Sequence, residues 1–218
     1  MDQPLERALH GPGLFEIIFG ATLSLALGVV LAAVWLVLKP VESVKEPSVD
    51  ASPSVVYYVA GETNSAGART WLRKRQVLAE GQSGALVISE QELNAWASAS
   101  IKPPAADATA TLVPGQLNFR IHEGALQIAS PATLSVLGMS FPVIVQARGT
   151  FTPHNGSLAF DPQEFFFGSL AVHRIPRFNH WMIAKLSHLQ SLPDDVVAGW
   201  KKVSQATIEG KFLTLSLP

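Results

Sequence analysis

One segment of the chain is apolar throughout, and it lies close to the N-terminus. Residues 14–38 read LFEIIFGATLSLALGVVLAAVWLVL, with Glu16 as their only charge. As a helix they rise roughly 37 Å, more than the ~30 Å hydrocarbon core of a bilayer requires. A cleaved signal peptide has a shorter apolar region and small residues before its cleavage site, whereas Trp35 to Lys39 are bulky. The pattern therefore predicts an uncleaved transmembrane helix at 14–38 after an N-terminal tail at 1–13.

Small side chains recur at four-residue steps within this predicted helix. They are Gly20, Ser24, Gly28 and Ala32. Residues four apart lie on one helix face, and small side chains let another backbone approach closely. Two interpretations stay open, because small residues are common in such helices. The spacing is either a chance result of composition or a packing face for a second copy or another membrane protein.

The segment after the helix predicts a linker. Residues 39–54, KPVESVKEPSVDASPS, are rich in proline and serine and lack aromatic residues. Such a composition favours a semi-extended tether, which could place a domain up to roughly 50 Å from the bilayer. Arg7 before the helix and Lys39 and Lys45 after it leave the orientation nearly balanced by charge. We expect a single-pass protein of the inner (cytoplasmic) membrane with an extracytoplasmic domain, because a short tail before an uncleaved anchor suits export.

Residues 55–218 combine helical and strand periodicities, which predicts an extramembrane α+β domain. A short strand is predicted near Val55, in the segment VVYYVAG, and a helix follows at about 66–80, whose apolar residues form one stripe. The strand at 85–89 leads into a second helix, opened by Ser89 and Glu92 as a capping box.

The period changes from 3.6 to 2 between residues 115 and 170, as expected for consecutive antiparallel strands. Asn155-Gly156 is the strongest hairpin signal in the chain. Two further helices are predicted at 177–189 and from Pro193, and a last strand at 207–217. The predicted fold is one curved antiparallel sheet, a meander, with helices packed on one face.

Composition removes several classes of function. The net charge of −1 and the pI near 6.6 give no basic excess for binding nucleic acid. The absence of cysteine excludes disulfides, thiolate metal sites and thiol nucleophiles. No pair of the six histidines has metal-ligand spacing, and no nucleophile motif or phosphate-binding loop occurs. We therefore expect no catalytic residue, no metal and no cofactor, and interpret the protein as non-enzymatic.

Aromatic residues near the end of the strand region are the remaining candidates for binding. Phe165, Phe166 and Phe167 are consecutive, so a strand points them to both faces of its sheet. Packing under a helix and a loop accounts for them in one interpretation. In the other, they join Trp181 and Met182 in an apolar groove that holds an acyl chain.

The segment at 87–94, VISEQELN, resembles the strand and S/T-E-x-E-L-N segment of bacterial YpmS-type envelope proteins. The resemblance covers most of residues 15–218 in layout but only these eight in motif. It implies an exported, lipid-handling envelope protein with one N-terminal anchor and a small β-rich domain, and it supplies no catalytic residues.

Two main hypotheses of function follow, and an enzyme with an irregular site is a distant third. The first is a membrane-tethered, non-enzymatic envelope protein whose domain binds a lipid or another apolar ligand. The second is an assembly or scaffold subunit, which associates through its transmembrane helix and a sheet edge as a homo- or hetero-oligomer.

Overall fold

The computed structural model describes residues 12–44, 55–101, 111–136, 138–154, 157–175 and 194–217. Helix α1 spans Leu14–Leu38 and contains no buried residue. It is long and apolar enough to cross a membrane, with a mean hydropathy of 2.5 over its most apolar window. A single apolar helix near the N-terminus is compatible with a membrane anchor or with a signal sequence.

Three further helices lie within the described ranges. They are α2 (Ser65–Glu80), α3 (Glu90–Ser100) and α4 (Asp194–Trp200). The predicted capping box opens α3, since the Glu92 N–H donates to Ser89 Oγ at 3.3 Å and the Ser89 N–H donates to the Glu92 carboxylate at 2.8 Å. The helix predicted at 177–189 lies outside the described residues.

The strands form three sheets. A parallel pair joins β1 (Glu42–Val44) to β2 (Tyr57–Val59). An antiparallel sheet of order β10-β11-β3 contains β3 (Gly84–Ser89), β10 (Gln205–Glu209) and β11 (Phe212–Leu217). The largest sheet is antiparallel, of order β4-β6-β7-β8-β9, with β5 paired to β6. Its strands are β4 (Leu112–Pro114), β5 (Asn118–His122), β6 (Ala125–Val136), β7 (Met139–His154), β8 (Ser157–Phe167) and β9 (Leu170–Ala171).

The α+β class and the antiparallel sheets are thus confirmed, but the prediction of a single sheet is wrong. Alternation of apolar and polar positions shows which side of a strand is buried, and it does not show which strands pair. The strand predicted at 207–217 is a hairpin, because the backbone reverses at Gly210, whose φ is +59°. Strands β7 and β8 pair at His154 and Ser157, so residues 155–156 connect them, while the conformation of that turn lies outside the described residues.

Two apolar clusters hold the domain together. In the larger one, α2, α3 and α4 pack with β3, β11 and one face of β5 and β6 around Trp71, Trp96 and Ile88. The smaller one lies on the same face of the large sheet, toward α1. It contains Ala132, Val143, Val145, Phe165, Phe167 and Val172, with Val37 packed against them.

The C-terminal end of α1 is docked on the domain. The Ser169 N–H donates to the Leu36 carbonyl at 3.0 Å, and a Cβ at Gly168 would overlap the Val37 carbonyl. Five residues later β1 pairs with β2, so part of the segment predicted as a linker is a strand. Residues 45–54 of that segment lie outside the described residues.

Candidate ligand-binding cleft

The three consecutive phenylalanines separate onto the two faces of β8. Phe165 and Phe167 are 3% and 8% exposed and belong to the smaller apolar cluster, as expected of core residues. Phe166 points to the opposite face and is half-buried. Its ring meets the His173 ring edge-on, with the ring centroids 5.2 Å apart. Trp181 and Met182 lie outside the described residues. Of the three predicted groove residues that the structure describes, Phe166 alone faces a space open to a ligand.

A cleft of about 830 Å³ covers this face of the sheet. Its volume lies within the ~300–1,000 Å³ range usual for small-molecule sites. The floor is formed by alternate residues of β5 to β8, and β2 with the residues before it forms one side. The apolar part of its lining includes Leu36, Val56, Val59, Phe166, Leu170 and Ile175. Because Leu36 belongs to the last turn of α1, the cleft begins where α1 meets the domain.

Charged side chains lie farther from α1, at the other end of the cleft. Arg148 is two positions beyond Gln146, which pairs with Phe166. Across the sheet, Arg148 pairs with Gln127 of β6, and Gln127 pairs with Arg120 of β5. On its other side Arg148 pairs with Glu164 of β8, so these four residues form one row. Thus the floor changes from apolar to charged along its length, which is the pattern that an amphipathic ligand requires.

Cations predominate slightly at the charged end. Arg148 donates to Glu123 at 2.8 Å, and this hydrogen bond lowers the pKa of the Glu123 carboxyl with help from the nearby His122. Within the described residues, Arg120 and Arg174 form no ion pair, although both line the cleft. Two arginines are therefore available for an anionic group.

His173 fixes the edge of the cleft beside Phe166. Its Nδ1 lies 3.2 Å from the Phe165 amide nitrogen and 3.1 Å from the Phe165 carbonyl oxygen. A single ring nitrogen accepts from the amide or donates to the carbonyl, according to its tautomer. Either bond holds the imidazole against the edge of β8, and Nε2 remains for other partners.

The segment from Ser89 to Asn94 builds a second polar feature, next to the cleft. Asn94 is 3% exposed, accepts from the Phe119 N–H at 2.7 Å and donates to the Phe119 carbonyl at 2.7 Å. Glu90 accepts from the Ile121 N–H, also at 2.7 Å. These side chains satisfy the outer edge of β5 much as another strand would, which protects that edge from pairing with other chains.

Neighbouring residues of α3 complete this arrangement. Glu90 also accepts from the Glu62 N–H at 2.6 Å, and Asn94 donates to the Glu62 carbonyl at 3.0 Å. Lys74 of α2 contacts the Glu92 carboxylate at 2.6 Å. The sequence predicted only the cap at Ser89, and the polar Asn94 within an apolar stripe was the available sign of the edge contacts. The segment that carries the family resemblance thus has a structural role, because its side chains form hydrogen bonds with the backbone at the outer edge of β5.

The small residues of α1 are all exposed. Gly20, Ser24, Gly28 and Ala32 have no neighbour that buries them, and a Cβ added at Gly20 or Gly28 would meet no atom within 4 Å. This face is therefore open in the isolated chain, and its pairing with another helix stays a prediction. Within the ranges that the structure describes, no group of three or more histidine or acidic side chains could hold a metal ion.

Comparison with known proteins gives no relative. No family model matches the chain, and neither a curated protein nor a solved structure is significantly similar to it. The resemblance of residues 87–94 to YpmS-type envelope proteins therefore stays a prediction. The candidate function depends on the geometry of the cleft.

Proposed function

We propose that this is a membrane-tethered, non-enzymatic envelope protein whose domain binds a lipid in the cleft over β5 to β8. The observation that supports this most is the start of the apolar lining at Leu36, in the last turn of the apolar helix α1. If α1 spans the bilayer, the cleft opens at the bilayer surface. A lipid chain then moves from the acyl region to Phe166 and Leu170 with little exposure to water.

The order of residues along the cleft gives the proposed orientation of the ligand. The acyl chain lies against Leu36, Phe166 and Val56, and each buried methylene contributes about 0.8 kcal/mol. An anionic headgroup lies beside Arg120, which has no ion pair among the described residues and whose row of side chains across the floor lies farther from α1 than Phe166. In this proposal strands β6 to β9 act as a curved meander whose concave face holds the lipid.

A photoactivatable phospholipid tests the site in the full chain, reconstituted in phospholipid nanodiscs. We expect crosslinks on the peptides that contain Phe166 and Ile175, together with crosslinks on α1. Phe166→Asp should remove the first group, because a carboxylate excludes an acyl chain, and should leave the second. The crosslinks on α1 thus serve as a reference within each sample.

Gln163→Asp is the matched control, since Gln163 is exposed on the same strand and does not line the cleft. It should crosslink as the unchanged chain does. Crosslinks confined to α1 in the unchanged protein would mean that the cleft holds no lipid. Unfolding of Phe166→Asp, seen as loss of the tryptophan signal, would mean that Phe166 is a core residue.

The membrane topology is part of the proposal. We propose that residues 14–38 remain as an uncleaved signal-anchor in the inner membrane, with the domain outside the cytoplasm. The mature protein should keep its original N-terminus and resist extraction by high salt. A reporter fused after Pro218 should be active only outside the cytoplasm, and an N-terminus near residue 40 would show cleavage instead.

The second proposal is an assembly subunit, which is favoured by the open small-residue face of α1. Gly20, Ser24, Gly28 and Ala32 lie on one exposed stripe, where a partner helix could approach closely. The partner is then a second copy or another membrane protein. This function is compatible with lipid binding, since the two surfaces share no residue.

A further inference from the structure

The β6–β7 hairpin extends beyond the rest of the large sheet. Strand β8 ends at Phe167, which pairs with Val145, whereas β7 begins six residues earlier at Met139. The last rungs of the hairpin pair Leu134 with Phe141 and Val136 with Met139. On the other side, β4 and the preceding Thr111 accompany the hairpin as far as Ser135, and beyond that point it has no neighbouring strand among the described residues and projects as a two-stranded ribbon.

One face of this ribbon is apolar from the core to the tip. At its base, Ala132 and Val143 are 7% and 3% exposed in the smaller cluster. Val136 and Met139, two rungs farther out on the same face, are 38% and 55% exposed. The other face carries Ser135 opposite Ser140, so the ribbon is amphipathic and its apolar face continues past the edge of the protein.

The helix α1 meets the domain at this same end. The Gly168 N–H donates to the Ile144 carbonyl, the adjacent Ser169 N–H donates to the Leu36 carbonyl, and α1 contacts both β7 and β9. Val37 packs against the apolar face that leads out along the hairpin. The exposed tip is thus continuous with the surface on which the end of α1 is docked.

The level of the bilayer surface follows from α1. Its 25 residues exceed the ~30 Å apolar core by about 7 Å, so its last turn lies among the headgroups. Trp35 is 62% exposed with the Lys39 ammonium 5.5 Å from its ring centroid, a pairing usual at this interface. From Ile144 to Met139 the strand covers about 17 Å, enough to reach the acyl boundary from there.

We propose that the end of the β6–β7 hairpin, through the exposed side chains of Val136 and Met139, inserts into the outer acyl boundary of the bilayer beside α1. The domain then has two membrane contacts, a spanning helix and a shallow apolar hairpin. Together they hold the opening of the cleft at the lipid surface. This inference rests on the proposed anchoring of α1.

Single cysteines can locate the tip, because the chain has none of its own. Met139→Cys, Leu27→Cys and Glu209→Cys are each labelled with an environment-sensitive fluorophore in the full chain. The proteins are reconstituted in phosphatidylcholine vesicles with brominated acyl chains, and iodide is added to the water. Leu27 reports the anchor, and Glu209 reports an exposed hairpin of the other sheet.

We expect the probe at Met139 to lose about half of its emission to bromine and almost none to iodide, as expected at interfacial depth. The probe at Glu209 should show the reverse. If iodide quenches the Met139 probe as it quenches the Glu209 probe, the inference is overturned. Bromine quenching of the Leu27 probe in the same experiment would still support the anchor. Shielding of Met139 from both quenchers would overturn it in favour of a protein contact. A Leu27 probe unaffected by bromine would exclude the anchor and the insertion together.

Discussion

Replacing Asn94 with alanine removes the contacts that close the outer edge of β5. Three hydrogen bonds are lost, two with the Phe119 backbone at 2.7 Å and one with the Glu62 carbonyl at 3.0 Å. Phe119 is 7% exposed, so water cannot readily replace the amide. Each buried backbone group left without a partner costs about 1–3 kcal/mol. The expected loss is therefore about 2–5 kcal/mol, a large part of the ~5–15 kcal/mol that stabilises a typical domain.

Urea unfolding of the full chain in detergent, followed by tryptophan fluorescence, measures this loss. Trp71 and Trp96 are buried close to Asn94, with their ring centroids 5.5 Å apart, and report the core. The midpoint of Asn94→Ala should fall by about 1–2 M urea for a usual slope. Ser98→Ala, on the exposed side of α3, should change stability by less than about 0.5 kcal/mol.

Asn94→Asp separates hydrogen bonding from packing, because it preserves the size of the side chain. The carboxylate still accepts from the Phe119 N–H, but it sets a second oxygen against the Phe119 and Glu62 carbonyls. Its cost relative to the unchanged chain should shrink at acidic pH, where a protonated carboxyl can donate. If Asn94→Ala and Ser98→Ala unfold at the same urea concentration, the edge of β5 does not depend on Asn94.

Three further predictions concern acid stability, the docking of α1 and helix association. Burial acts to raise the pKa of the Glu92 carboxyl, but hydrogen bonds from Lys74 and Ser89 outweigh it and lower that pKa. The stability that the ionised Glu92 contributes is therefore present above the ordinary carboxyl pKa and is lost as the pH falls through the lowered pKa. The difference in urea midpoint between the unchanged chain and Lys74→Met should shrink as the pH is lowered through this range. Gly168 has a φ of +59° and lies against the Val37 carbonyl, so Gly168→Ala should weaken the hydrogen bond from the Ser169 N–H to Leu36. The rate of amide exchange at Ser169 should rise at least tenfold (about 1.4 kcal/mol). Gly124→Ala, at a φ of +71° in open space, should leave that rate unchanged. Gly28→Leu should weaken the association of α1 in membranes, and Leu27→Phe, on another face, should not. Energy transfer between labelled copies measures this association. Equal energy transfer in the two variants would exclude the small-residue face.

The helices and strand faces were predictable because burial imposes a period on the sequence. The stripe of α2, the cap of α3 and the alternation along β5 and β6 were all visible in the order of residues. The partition into three sheets was not, because strand partners are chosen by contacts distant in sequence. Residues 42–44 pair with residues 57–59 although proline and serine dominate the segment around them. Local composition favoured a tether there, and a backbone ladder formed instead.

The candidate site was predicted only in part. Phe166 was among the residues selected, but its neighbours Phe165 and Phe167 are core, since adjacent strand residues face opposite ways. Arg120 and Arg148 were missed because they come from strands that are distant in sequence and become neighbours only across β6. Polar residues at every second position of a strand are usual on a solvent-exposed face. The positions of Arg120 and Arg148 in the sequence therefore do not by themselves indicate a binding site.

The attachment of α1 to the domain also determines how far the protein can act. A free linker would let the domain sample a hemisphere around its anchor. Here the Leu36 carbonyl, Val37 and the β1–β2 pair attach the chain to the domain in succession, so the start of the predicted tether is fixed to the domain. If α1 spans the membrane as proposed, a domain fixed in this way works at a single height above its own bilayer. Under the proposed function, any acceptor in the cell wall or in a second membrane must then come to the domain, and lipid must be exchanged at that surface.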